Sequence, residues 1–562
     1  MLWGRLTLTM TIGSGALDAL IDEYVEALFE FNPLLGSYSG LHKYDAKLPD
    51  LRKASMVKRI QELKEFLVKA QAVEIDPADN EADLDKTFLI RNLNKELFEL
   101  EELREFEQNP MTCGYLTDVS LYIKREYAPV AGRLETVIQH LAQLPQALAQ
   151  GREILDKALA KPALETALII FKGTIDYYEK DVTEQFTQHG EAALTARFVP
   201  VREQALQAIR DFIADLESRL PDAHNNYAIG PEKYHKMLDY GEMVDLPVAE
   251  VLRVGLKNLE DNQNLLRRIA ESFAPGRPLS EVMQEMIKNH PTPESLIPDT
   301  VAKLEEVREF LIDQKIVSVP SEVRVKVKES PPFMRWAFAS LDSPGPFEEI
   351  ATDAYYYLTL VEPEWTEQQK EEWLTKFDYF TLQGVSIHEA YPGHYLHFLH
   401  FKQISRKLRR LSWTANYSYS YVEGWAHYTE QMMIEEGYGS EDPHYQMSQL
   451  AEALLRNARY VVSVKMHTEG MTVDEGTRFF MENAHMEETP AASESRRGTF
   501  DPGYLNYCLG KLLILKLRED YKQQQGPDFS LQEFHDRLLS YGAIPLPLVR
   551  KMMLAEENGS IL

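Results

Sequence analysis

The chain has 562 residues, 44% hydrophobic and 26% charged, a balance that suits a soluble globular protein with a large core. Its 60 basic residues face 88 acidic ones, a formal charge of −28; such a surface repels phosphate backbones and argues against nucleic acid as a partner. Two cysteines, Cys113 and Cys508, are too few for a disulfide framework, and no run approaches the ~18 apolar residues of a membrane span.

The opening stretch, MLWGRLTLTMTIGSGALDAL, is too polar and poorly bounded for a signal peptide. With so little cysteine, the chain reads as cytoplasmic. Helical periodicity follows at once. Leu17, Leu20, Ile21, Tyr24, Val25, Leu28 and Phe29 recur at three- and four-residue steps until Pro33. Leu134, Val137, Ile138, Leu141 and Leu144 repeat the pattern and predict a helix ending near Pro145. The stretch 81–320 continues as amphipathic helices with short polar breaks.

The character changes near 322. EVRVKVKES alternates like a strand, with Val323, Val325 and Val327 on one face, and AYYYLTLVEP reads as a second strand. ASLDSPGPFEE between them is rich in turn residues. A small antiparallel sheet is therefore expected just upstream of the histidines, with helices resuming to the C-terminus. The fold class is mainly α. The chain divides into a helical part, 1–320, and a part carrying the chemistry, 321–562, intertwined as one continuous domain.

HEAYPGH, His388–His394, poses the chemical question. In the zinc-peptidase motif His-Glu-x-x-His, two imidazoles four residues apart face one ion from one helix. Here they are six apart. An unbroken helix would separate them by ~240° and ~9 Å of rise, too far to share an ion. Pro392 removes a backbone donor and Gly393 relaxes the backbone, so a bulge or short break could bring His394 round to His388. Glu389 would then stand beside the metal, where a general base takes a proton from water. The third ligand is sought in YVEGWAHYTEQMMIEEG, where Glu423, His427 and Glu430 share a stripe and Gly437 is placed as a C-terminal cap. Glu423 is the preferred ligand and His427 the alternative; Glu430 is assigned to a supporting or solvated position. His397 and His400 are read as packing or surface residues, and Arg406, Lys407, Arg409 and Arg410 as stabilising a helix C-terminus. The single Glu-x-x-His pair, Glu482–His485, lacks the partner that a di-iron site needs.

HEAYPGH, EGWAHYTEQ and RGTFDPGYLNYCLGKL together resemble the bacterial family called domain of unknown function 885, from about residue 15 to the C-terminus. That family is similar to the Taq-type zinc carboxypeptidases and related gluzincin oligopeptidases. The resemblance implies a large helical metallopeptidase-like fold with a deep groove, whose wall the N-terminal part forms, and one zinc ion on His388, His394 and Glu423 with Glu389 as base. It also singles out Arg459, His467, Arg497 and Tyr507, while Ser463 stands where the family usually has Asp. The implied reaction is peptide hydrolysis by a carboxypeptidase or oligopeptidase. Tyr507, then Tyr504, then His467 are the candidates to donate to the oxyanion; Arg497 or Arg459 would hold a substrate carboxylate. The Tyr355–Tyr357 strand would pair with an extended peptide. Two other readings stand beside this one: an inactive peptide-binding relative, and a zinc hydrolase of an ester or non-peptide amide. A peptide is the expected partner, with a homodimer possible.

Overall fold

The computed structural model describes residues 14–331, 335, 338–556 and 559–562. The leader reading therefore falls largely outside the described residues.

The first helix, Ser14–Phe31, buries the seven apolar residues of its predicted stripe. Asn32 then ends one helix and caps the next, its side chain accepting from Leu35 N at 3.3 Å, with Pro33 in the first turn of Pro33–Tyr38. The helix expected to end near Pro145 instead runs Val130–Ile154 straight through it. An interior proline costs about 3 kcal/mol. Burying Leu148 and Ile154 beyond it returns about 1.5–3 kcal/mol each, and the extra turns pack on the Ala192–Arg219 helix. Tertiary burial outweighs the local breaker.

One large apolar core draws on both ends of the chain, from Leu17, Tyr24 and Phe88 to Leu513, Leu538 and Val549. A second core gathers helices between Leu34 and Leu216. A third, including Leu266, Val462 and Tyr504, lies behind the region of the histidines. The basic cluster lies on a short helix, Lys407–Leu411, with Arg409 and Arg410 in its last turn as expected, and it also serves as a bridge. Arg406 and Arg409 each place Nε 2.7 Å from the buried Asp85, and Lys407 pairs with Asp22 at 2.6 Å. Both cysteines are buried and free. Among the described residues no helix is long and apolar enough to cross a membrane.

The small sheet is mixed rather than antiparallel. Its strands are β1, Lys326–Glu329; β2, Ala339–Asp342; and β3, Tyr355–Leu358, in the order β1-β3-β2. β1 pairs with β3 in parallel and β2 pairs with it antiparallel. The stretch expected as a turn thus supplies a strand before the chain turns. β3 takes the centre because Tyr356 and Leu358 are fully buried. It is hydrogen-bonded on both sides, so it cannot accept a peptide; β1 and β2 are the edge strands.

Candidate metal centre

The bend is the first thing to explain. The Tyr379–Glu389 helix starts on Asp378, whose carboxylate accepts from Phe380 N and Thr381 N at 3.0 and 3.1 Å. It stops because Ala390 leaves helical angles (φ −120°, ψ −82°), the Tyr391–Pro392 peptide is cis, and a new helix, His394–Phe401, opens one residue after Gly393. Gly393 N–H reaches back to Ile387 O at 2.9 Å, and Leu396 N–H to Ala390 O at 3.1 Å. The freed Pro392 carbonyl accepts from Trp425 Nε1 at 2.9 Å, so the EGWAH helix pins the bend. Gly393 is needed for a reason other than left-handed backbone. Its φ is −68°, but a Cβ there would lie 1.8 Å from His388 O and 2.4 Å from Ile387 O. Close backbone approach excludes every side chain.

This bend brings the predicted ligands together. His388, His394 and Glu423 converge, their ligand atoms within 4.8 Å of one another. Glu423 Oε2 stands 3.6 Å from His388 Nε2 and 3.5 Å from His394 Nε2. Those separations exceed a normal hydrogen bond. They match the ~3.4 Å edge of a tetrahedron whose ligands lie ~2.1 Å from the ion. The two rings stand perpendicular, 4.8 Å apart. Glu423 comes from the Tyr419–Glu435 helix, which ends as expected: Gly437 N–H bonds Ile434 O and Tyr438 N–H bonds Met433 O.

Behind the three ligands lies a buried charged layer. Glu430 Oε1 is 2.7 Å from His388 Nδ1, which leaves Nε2 to face Glu423. This is the carboxylate–histidine arrangement that orients a metal-binding imidazole, and it gives Glu430 a supporting place. Glu430 Oε2 pairs with His427 Nδ1 at 3.2 Å, and Arg456 stands 3.6 Å from Oε1. His427 therefore serves Glu430 and lies outside the convergent ligand set. Burial, then the Lys511 ammonium, push His427 down to about 3, so the ring is neutral. Burial opposes charge on His388, but the carboxylates of Glu423 and Glu430 outweigh it and raise the imidazole to about 10. Burial opposes ionisation of Glu423, yet His394 and His388 hold its carboxyl well below the usual range. The carboxylates of Glu423 and Glu430 thus flank the His388 ring, on its Nε2 and Nδ1 sides.

The ligands open onto a cavity of about 480 Å³. Glu389 and Tyr507 line it with Leu341, Trp413, Tyr417 and Val422. Glu389 Oε2 accepts from Leu341 N–H at 3.0 Å, and Ser340 and Leu341 of β2 line the cavity. Burial and the nearby Glu423 carboxylate raise the Tyr507 phenol, keeping it a neutral donor. The other sequence candidates lie elsewhere. Arg459 holds Glu494 by two bonds of 2.8 and 2.7 Å, packed over the Tyr507 ring. Arg497 bonds Asp501 at 3.0 Å and Tyr419 at 3.1 Å. Tyr504 is fully buried, with the Arg497 guanidinium 5.8 Å from its ring centre. His467 is buried between backbone groups, Nε2 at 2.8 Å from Gly498 O and Nδ1 accepting from Ile229 N at 3.4 Å. None of these four lines the cavity. Ser463 bonds Pro502 O and Tyr234. His397 is enclosed by Trp413, Tyr421 and Trp425, and His400 meets Ser318 O at 2.7 Å. His485 is exposed at the end of its helix.

One residue that the motifs do not reveal is Glu242, at the end of the Pro231–Glu242 helix. Its buried carboxylate accepts from Tyr419 N at 3.0 Å, from Ser420 N at 3.2 Å, and from the hydroxyls of Ser418 and Ser420. Asn506, next to Tyr507, approaches it at 3.4 Å. A single anion thus caps the helix that presents Glu423 and braces the start of the one that carries Tyr507. Nothing local in DYGEMV signals a partner 176 residues away. Glu242→Gln is predicted to lower the affinity of this candidate centre for a divalent metal by about tenfold in a chelator-competition titration, while far-ultraviolet circular dichroism stays helical; unchanged affinity would reject the role.

Comparisons with known proteins bear on the fold and the family. Two solved structures span nearly the whole chain. One, described as "a putative lipoprotein of unknown function from Shewanella oneidensis", is 23% identical, with a TM-score of 0.81 over 97% of this chain and 100% of that one. The other, "the putative lipoprotein from Colwellia psychrerythraea", is 19% identical, with a TM-score of 0.81 over 96% and 98%. Both share the mainly helical fold. No protein of curated function matches the chain. The family described as bacterial protein of unknown function, DUF885, matches residues 33–553, and the chain belongs to it.

Proposed function

We propose that the protein is a zinc-dependent metallopeptidase. The observation that carries this reading is the convergence of His388, His394 and Glu423, with Glu423 at tetrahedral-edge spacing from both imidazoles and Glu389 in the same cavity. Two imidazoles and a carboxylate suit zinc and leave a fourth position open. When bound, zinc supplies Lewis acidity that activates water and polarises a carbonyl. Glu389 takes the proton from the attacking water and returns it to the leaving amine, so that water is added across one C–N bond. Tyr507 is the donor suited to the developing oxyanion, being the candidate tyrosine that lines the cavity. Glu430 keeps His388 in the orientation that binding needs. The resemblance of the DUF885 family to zinc carboxypeptidases and oligopeptidases, noted from the sequence, agrees with the same chemistry.

The reading predicts that purified protein cleaves a complex peptide mixture, observed by mass spectrometry. Removing zinc with a chelator should abolish cleavage, and one equivalent of zinc should restore it. Cleavage that survives complete metal removal would reject the proposal. The buried free cysteines fit a cytoplasmic protein, whereas the lipoprotein designation of both neighbours favours the cell envelope; fractionation of the native host decides between them.

A further inference from the structure

The metallopeptidase reading leaves open which part of a peptide the site grips. A carboxypeptidase must hold a terminal carboxylate, and a paired guanidinium is the usual means. Among the described residues, no Lys or Arg lines the cavity. The cations that approach its walls are already neutralised. Arg459 is bound twice by Glu494, and Arg497 is bound by Asp501. On the opposite side, Arg125 and Lys124 share Asp342, at 2.8 and 3.3 Å. Freeing any of them for a substrate would strand a partly buried carboxylate, which costs about as much as the new pair returns.

What the cavity does offer is backbone and ring surface. Ser340 and Leu341, at the outward edge of β2, and Ser343 just beyond it line the cavity, and Leu341 N–H is held by Glu389 Oε2 at 3.0 Å. Tyr417 and Tyr507 line the same cavity, and Tyr419 stands between them, with ring centres 6.4 and 5.5 Å apart. Tyr417 is 42% exposed at the mouth. An edge strand reads an extended main chain without regard to its ends, and an aromatic wall favours an apolar or aromatic side chain.

We propose that this site, if it is the metallopeptidase described above, takes an extended peptide through its main chain and one apolar side chain, anchors no terminal carboxylate, and cuts internally. The test uses zinc-loaded, full-length protein and one synthetic nonapeptide with central phenylalanines, supplied free, N-acetylated, C-amidated and blocked at both ends. Mass spectrometry gives the cleavage position and kcat/KM. The doubly blocked peptide should be cut internally, within about threefold of the free one; a carboxylate clamp would instead cost it tenfold or more. Successive loss of C-terminal residues, or inertness of the amidated peptides alone, would overturn the internal-cleavage proposal and leave the metallopeptidase reading intact. Inertness of all four at full zinc occupancy would overturn both. Tyr417→Ala should lose about fivefold on the phenylalanine peptide and little on a central-glycine analogue, at unchanged zinc content. Equal losses on the two peptides would reject the aromatic subsite.

Discussion

Replacing Glu389 with Gln should leave the protein folded and loaded with zinc while lowering kcat/KM for peptide hydrolysis by roughly 10³–10⁴-fold. The amide is isosteric, and its oxygen can still accept from Leu341 N–H, as Glu389 Oε2 does at 3.0 Å. What it cannot do is take a proton from water and give it to the leaving amine. The ligand set lies outside the change, so metal affinity should hold. Parallel measurements of zinc content and peptide turnover check this. Activity within tenfold of the wild type would remove Glu389 from the chemistry. A variant that still binds peptide but turns nothing over agrees with the account, whereas wild-type protein that binds and never cleaves would favour the inactive relative.

Gly393→Ala should be the most damaging small substitution outside the ligands. The added methyl would lie 1.8 Å from His388 O and 2.4 Å from Ile387 O, both backbone atoms that no side-chain rotation can move. Relief requires the two helices to separate by more than an ångström, and His388 and His394 move with them. Zinc affinity should fall by about 100-fold or more, the upper range seen when support for a ligand is lost. Gly384→Ala, in the Tyr379–Glu389 helix that carries His388, is the control. No atom outside its own helix lies within 4 Å of a Cβ there, and alanine is favoured over glycine in a helix interior by roughly 1 kcal/mol. It should bind zinc as the wild type does. Competition titration against a chromogenic chelator reads both variants. Wild-type affinity in Gly393→Ala would show that the bend tolerates a side chain, and that the stated reason for the glycine is mistaken.

Much of this was legible in the residues because it is local. Three- and four-residue periodicity marks helices such as Ser14–Phe31, and the Gly437 cap follows from the end of one pattern. The Pro-Gly interruption indicates that His394 could rejoin His388, since a straight helix keeps them apart. What the residues concealed is long-range. β2 reads as a turn because its strand character depends on pairing with Tyr355–Leu358. The helix through Pro145 persists only because a neighbouring helix covers its far end. Arg459 and Arg497 look like substrate ligands until Glu494 and Asp501 are seen beside them. Glu242 has no motif, since its partners come from another part of the chain. The role of Gly393 was anticipated but its cause was not: the steric limit is set by a carbonyl five residues back, not by its own φ.

The central claim is that one bend makes a pair of imidazoles and a distant carboxylate into a single cation site. Elemental analysis, on protein purified without metal-affinity steps, tests it most directly when applied to the wild type and to His388→Ala, His394→Ala and Glu423→Ala. The account predicts one zinc per wild-type chain and a large loss in each folded variant. Stoichiometric zinc retained in all three variants, or a wild-type protein that takes up no divalent metal when zinc is offered, would contradict it.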